Sequence, residues 1–100
     1  MRRGEIWVVS RLGSKRAVVI VGHDTLTADR DAVLTVPLSD VMPVRIAEPA
    51  LRDSTGMSVG IARTPLLGQV MKDYLIERRG ELAPASVENL DIALRAVLDL

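Results

Sequence analysis

Lys15-Arg16-Ala17-Val18-Val19-Ile20-Val21-Gly22 is the stretch on which the fold turns. Two cations open it, small and β-branched apolar residues follow, and a glycine ends it. Polar and apolar residues do not alternate, so both faces are expected to be buried, as in a central strand. The run is too short for a typical helix, and its Val/Ile content suits a pleated surface. Arg16 falls at the strand's entry, where packed core meets solvent. A charge there either keeps the edge soluble or belongs to a site.

The residues on either side extend the β pattern. Glu5-Ile6-Trp7-Val8-Val9 reads as a first strand, joined to strand two (Arg16–Val21) by a short connection over Ser10–Ser14 that turns at Gly13, making a hairpin. Gly22–Asp31 is polar and irregular and reads as a surface loop. Ala32–Leu38 is a third strand, expected to end or bulge at Pro37, which cannot donate to a ladder. Val44–Ala47 alternates and reads as a half-buried strand after a turn at Pro43. Pro49–Gly56 reads as a loop. Met57–Thr64 is a fifth strand closed by Pro65, and Leu67–Val70 a further short one. Lys72–Arg79 is ambiguous between a helical turn and a strand, is stopped by Gly80, and precedes an extended Glu81-Leu82.

From Pro84 onward the period changes. Val87, Leu90, Leu94, Val97 and Leu98 fall on one helical face, with Glu88, Asp91 and Arg95 on the other. Proline is tolerated in a helix's first turn. Short strands without intervening helices exclude parallel βαβ units. The expected fold is mainly β: a small, strongly curved antiparallel β-barrel with a C-terminal α-helix, forming a single domain over residues 1–100.

Composition narrows the function. The chain has 100 residues, 48% of them apolar and 2% aromatic, so its core is aliphatic. Thirteen cations balance thirteen acids, so any nucleic-acid contact must come from a local basic patch. Zero cysteines exclude disulfides and thiolate catalysis, and a single histidine excludes a multi-histidine metal site. No run approaches the roughly 20 apolar residues of a membrane span, and the basic start is not followed by a signal-peptide core. A cytoplasmic chain with no membrane partner, metal or cofactor is expected.

No standard catalytic motif is present. His23 reads as an ordinary loop residue. Asp73 and Glu77 are expected to pair with Lys72 or Arg78 on a solvated face. What remains are polar residues at strand ends: Arg16 at the entry of strand two, Ser39 past the exit of strand three, and Arg63-Thr64 at the exit of strand five. In a barrel, such ends can meet at one lip. Arginine plus hydroxyl is a phosphate-handling pair, because the guanidinium fork takes two oxygens at once. By pattern alone, arginines that only cap sheet edges are the favoured reading.

Met1-Arg2-Arg3-Gly4-Glu5-Ile6-Trp7-Val8-Val9 resembles the opening of the MazF/PemK/Kid toxins. Lys15–Val21 is similar to their Arg-Pro-Val-Val-Val strand, and Val36-Pro37-Leu38-Ser39 to their Val-Pro-x-Thr segment. Leu82-Ala83-Pro84 and Ala93–Leu100 resemble their terminal helix. The resemblance implies an SH3-like barrel, a homodimer, and a ribosome-independent endoribonuclease that cuts single-stranded RNA without metal through a 2′,3′-cyclic phosphate. It implies a cognate antitoxin partner, with operator DNA bound only together with that antitoxin. It also implies catalytic roles for Arg16, Ser39 and Arg63, with Arg16 contacting the RNA phosphate; Lys15 and Thr64, beside them at the same strand ends, are read as further RNA contacts on position alone.

Departures accompany it. Pro65 stands where Kid-like members carry an acid, Ala17 replaces the usual proline, and the first loop is cut short. No general base is evident near Arg16, and Glu5 reads as structural. Two other outcomes stay open: a CcdB-like toxin that inhibits gyrase, similar at Val-Pro-Leu and in the terminal helix, and a catalytically degenerate homologue kept as a partner.

Overall fold

In the computed structural model, which describes residues 1–40, 45 and 47–99, the stretch at Lys15 becomes the middle of the sheet. β2 (Ser14–Ile20) lies between β1 (Glu5–Arg11) and β3 (Ala32–Ser39), antiparallel to both. Its apolar residues divide by parity. Val19 packs with Ile6, Val36, Leu51, Leu82, Leu90 and Leu94. Val18 and Ile20 pack on the opposite face with Val33 and Leu75, flanked by Trp7, Val9 and Val70. Both faces are therefore covered, which is why the run does not alternate.

The remaining strands are β4 (Ala50–Arg52), β5 (Ser58–Ala62), β6 (Gly68–Met71) and β7 (Leu75–Glu81). The sheet runs β4-β5-β3-β2-β1-β7, with β6 also paired to β3. Among the described residues two α-helices accompany the sheet, α1 (Asp24–Asp29) and α2 (Pro84–Leu98). The result is the expected one, a curled antiparallel sheet with a C-terminal helix.

The outer edge of β3 is shared. Ala32–Thr35 pair with β6, and Leu38 and Ser39 with β5. Pro37 lies where one neighbour gives way to the other. Its carbonyl accepts the Arg63 N–H at 2.9 Å. The missing proline N–H falls on that same side, at the junction, so the strand does not end at Pro37 as expected but runs on to Ser39.

Other expectations are corrected. The β1–β2 turn is tighter than Ser10–Ser14: only Leu12 and Gly13 lie outside the strands, at φ +52 and +79, the left-handed values of a two-residue hairpin turn. The segment 22–31 carries α1, whose Asp24 carboxylate accepts the Arg3 N–H at 2.8 Å. β4 occupies part of the expected loop Pro49–Gly56. Lys72–Tyr74 is a 3-10 turn, and Leu75–Glu81 is a strand that passes through Gly80. Gly80 adopts φ +148 beside a shift in register between Ile6 and Trp7, a bulge in place of a stop. Glu77 pairs with Arg79 at 3.6 Å, not with Lys72 or Arg78. Of the strand expected over Val44–Ala47, residues 44 and 46 lie outside the described residues; Arg45 bridges to Glu48, and Ala47 is in a turn.

α2 covers the first cluster through Leu90 and Leu94, with Val87 at its margin, and Ala93 is also buried. Its buried Ser86 hydroxyl accepts the Arg52 N–H at 2.8 Å, fastening helix to β4. The apolar stripe ends early, since Leu98 is 50% exposed. No helix among the described residues is long and apolar enough to cross a membrane.

Glu5 is structural, as its place in the opening suggests. Its carboxylate accepts the Arg2 N–H at 2.9 Å, the Trp7 indole N–H at 3.1 Å and Arg78 Nε at 2.9 Å. Burial alone pushes such a carboxyl up. The Arg2, Trp7 and Arg78 hydrogen bonds and the Arg78 charge outweigh it and lower the pKa to about 2. A folded-state value below the unfolded one means the contribution is complete above the ordinary range near 4.5 and is lost as pH falls through about 2. Acid titration followed by Trp7 fluorescence is therefore expected to show a smaller loss of stability across that window for Glu5→Gln than for the wild type. Identical acid profiles would contradict the assignment.

Candidate active site

One end of the sheet opens into a cleft of about 1010 Å³. Four of the five residues singled out from sequence line it. Lys15 and Arg16 come from the start of β2, and Ser39 from the end of β3. Arg63 follows the last residue of β5. The register explains the convergence. β2 pairs Val18 with Pro37 on one side of β3, and β5 pairs Ile61 with Ser39 on the other. The entry of one strand and the exits of two others thus reach the same rim.

Thr64 is the exception. It is fully buried, and its hydroxyl donates to the Ala47 carbonyl. Successive residues leaving a strand point to opposite sides, so Arg63 faces the cleft and Thr64 the core. A buried, bonded hydroxyl has no surface to offer RNA in this fold.

Arg63 is held from below. Its Nε donates to Glu48 Oε2 at 2.5 Å, and the two side chains are 26% and 12% exposed. Glu48 fixes the guanidinium's orientation while Arg63 still lines the cleft. The sequence contained no signal for this pair, which is 15 residues apart and joined only by tertiary structure.

Arg79 also lines the cleft, from β7. Its neighbour Arg78 turns the other way, to Glu5. A strand over residues 72–79 separates the two by alternation, but β7 is bulged, with Arg79 and Ile76 left out of the pairing register. Four cations, Lys15, Arg16, Arg63 and Arg79, therefore stand against two carboxylates, Asp40 and Asp53. A chain of zero net charge has concentrated positive charge at one site, which suits an anionic, phosphate-bearing ligand.

The two carboxylates differ. Asp53 organises the β4–β5 turn: its Oδ1 accepts the Thr55 hydroxyl at 2.6 Å, the Thr55 N–H at 2.9 Å and the Met57 N–H at 3.0 Å. The Thr55 hydroxyl, with the backbone N–H groups behind it, holds Asp53 below the usual carboxylate range. Asp40 is exposed, one residue beyond Ser39 at the cleft rim. His23 lines a separate hollow with Gly22, Thr27 and Leu34, near the other end of β3. Among the described residues, no three His, Cys, Asp or Glu side chains gather as metal ligands.

No protein-family model matches the chain. Solved structures do. A mycobacterial endoribonuclease in complex with its cognate antitoxin superposes with a TM-score of 0.90 at 21% identity, covering 100% of this chain and 96% of that one. MazF of a MazE–MazF complex from Deinococcus radiodurans gives a TM-score of 0.85 at 13% identity, over 100% and 96% of the two chains. A MazF toxin from Mycobacterium tuberculosis gives 0.81 at 15% identity, over 96% and 97%. Across nearly its whole length, this chain has the MazF fold.

Proposed function

We propose that the protein is a MazF-type toxin, an endoribonuclease that cleaves single-stranded RNA. The observation that carries this is the meeting of Arg16, Ser39 and Arg63 in one open, cation-rich cleft of a fold that the matched endoribonucleases share. The reaction is attack of a ribose 2′-OH on the adjacent phosphorus, giving a 2′,3′-cyclic phosphate and a free 5′-hydroxyl. Its transition state spreads negative charge over the phosphoryl oxygens, and fixed guanidinium groups stabilise that charge without reorganising. Arg16 supplies a bidentate fork at the rim. Arg63, anchored by Glu48, supplies a second, and Ser39 a hydroxyl beside them. Arginine stays charged at any working pH, so both arginines act electrostatically and neither as the acid. Lys15 adds a point charge for a neighbouring phosphate.

The same proposal includes a homodimer acting in the cytoplasm, a cognate antitoxin, and operator DNA bound only with that antitoxin. Antitoxin complexes among the matched structures support the second of these. A CcdB-like gyrase inhibitor is not favoured, since the structures matched above are endoribonucleases and MazF toxins. Primer extension on total RNA after induced expression separates the readings. New 5′ ends at a recurring short sequence support the endoribonuclease. Intact RNA with trapped gyrase–DNA complexes would support the CcdB-like reading, and neither effect a degenerate homologue.

A further inference from the structure

The cleft holds phosphate-binding groups, but 2′-OH attack also needs a base, and we infer that Asp40 is that base. The inference rests on the proposed RNA cleavage and follows from what lines the cleft. The cationic side chains there, Lys15, Arg16, Arg63 and Arg79, are donors. Asp53 spends one carboxylate oxygen on three donors of its own turn, which makes it a poor proton acceptor. Glu48 is engaged by Arg63. His23 lines a different hollow. Asp40 is exposed at the rim, and the pairing of Ser39 with Ile61 sets the strand end from which it projects. Pro65, where Kid-like members carry their acid, is thus offset by a carboxylate reached from a different strand.

In the step assigned to it, the Asp40 carboxylate takes the 2′-hydroxyl proton as the O2′–P bond forms. The P–O5′ bond breaks, and the departing 5′-oxygen takes a proton from water in the open cleft. No oxidant, reductant or further reactant is consumed.

The test is steady-state cleavage of a single-stranded RNA oligonucleotide across pH. Asp40→Asn is expected to lower kcat by about 10²–10⁴-fold with KM little changed. It should also abolish the rise in kcat on the acid side of the profile, whereas Asp40→Glu retains that rise. Circular dichroism checks that the variants fold. If Asp40→Asn does not fold, Asp40→Glu decides: a folded Glu variant without the acid-side rise overturns the assignment. A wild-type rate and profile for Asp40→Asn overturns it too, as does loss of the acid-side rise in Asp53→Asn instead. A wild-type protein inert on RNA overturns the proposed function, and this assignment with it.

Discussion

Replacing Arg16 with alanine is expected to lower RNA cleavage by about 10²–10³-fold, the usual effect of removing one preorganised donor from a developing oxyanion. The fold should be unaffected. Arg16 is exposed at the entry of β2, and the buried part of that strand begins two residues later at Val18. Backbone pairing of Arg16 with Val9 survives the change, because it uses no side-chain atom. Arg16→Lys is expected to recover part of the loss, since an ammonium keeps the charge but not the two-pronged geometry. Cleavage kinetics on an RNA oligonucleotide, with a thermal melt as control, decide the matter. Wild-type turnover by a folded Arg16→Ala would remove Arg16 from the site.

Gly60→Ala is expected to damage both fold and site. Gly60 sits in β5 at φ +108, a conformation that residues with a Cβ rarely adopt. A Cβ built there meets the Ser39 carbonyl oxygen at 2.9 Å and the Ser39 carbonyl carbon at 3.3 Å, and backbone cannot swing aside as a side-chain tip can. Strain of roughly 1–3 kcal/mol adds to an overpacking penalty of similar size. The sum, about 2–6 kcal/mol, corresponds to a fall in Tm of at least about 8 °C for a domain this small. Because the collision is with Ser39, the β3 end that carries Ser39 and Asp40 should shift, and cleavage should fall even where the variant remains folded. Gly13→Ala makes the contrast: its φ is +79, but nothing lies within 4 Å of the added carbon, so only the strain is incurred. Equal melting temperatures for Gly60→Ala and the wild type would contradict the close approach of β5 to β3.

The elements legible in the sequence are those whose periods are long enough to read. Val18–Val21 is uninterrupted because β2 is covered on both faces, and α2 shows its three-and-four spacing over four turns. α1 has six residues and β4 three, too few for any period to stand out from a polar loop. β7 was obscured by its bulges, which shift Arg78, Arg79 and Gly80 out of simple alternation. The same split between pattern and tertiary structure runs through the site. Arg16, Ser39 and Arg63 were accessible as polar residues at strand ends. Thr64 reads as Arg63's neighbour at the rim but is buried, because a sequence does not say which side of the sheet a strand-end residue faces. Glu48 and Arg79 reach the site through contacts with no short-range signature, and a neutral overall charge hides their local field.

RNA cleavage at this cleft is proposed to proceed through the 2′-hydroxyl. Its most direct measurement is end-group analysis of a single-stranded RNA oligonucleotide incubated with the purified protein in excess EDTA. Cleavage is expected to leave a 2′,3′-cyclic phosphate on the upstream fragment and a 5′-hydroxyl on the downstream one. Intact RNA, or fragments carrying a 5′-phosphate, would contradict it.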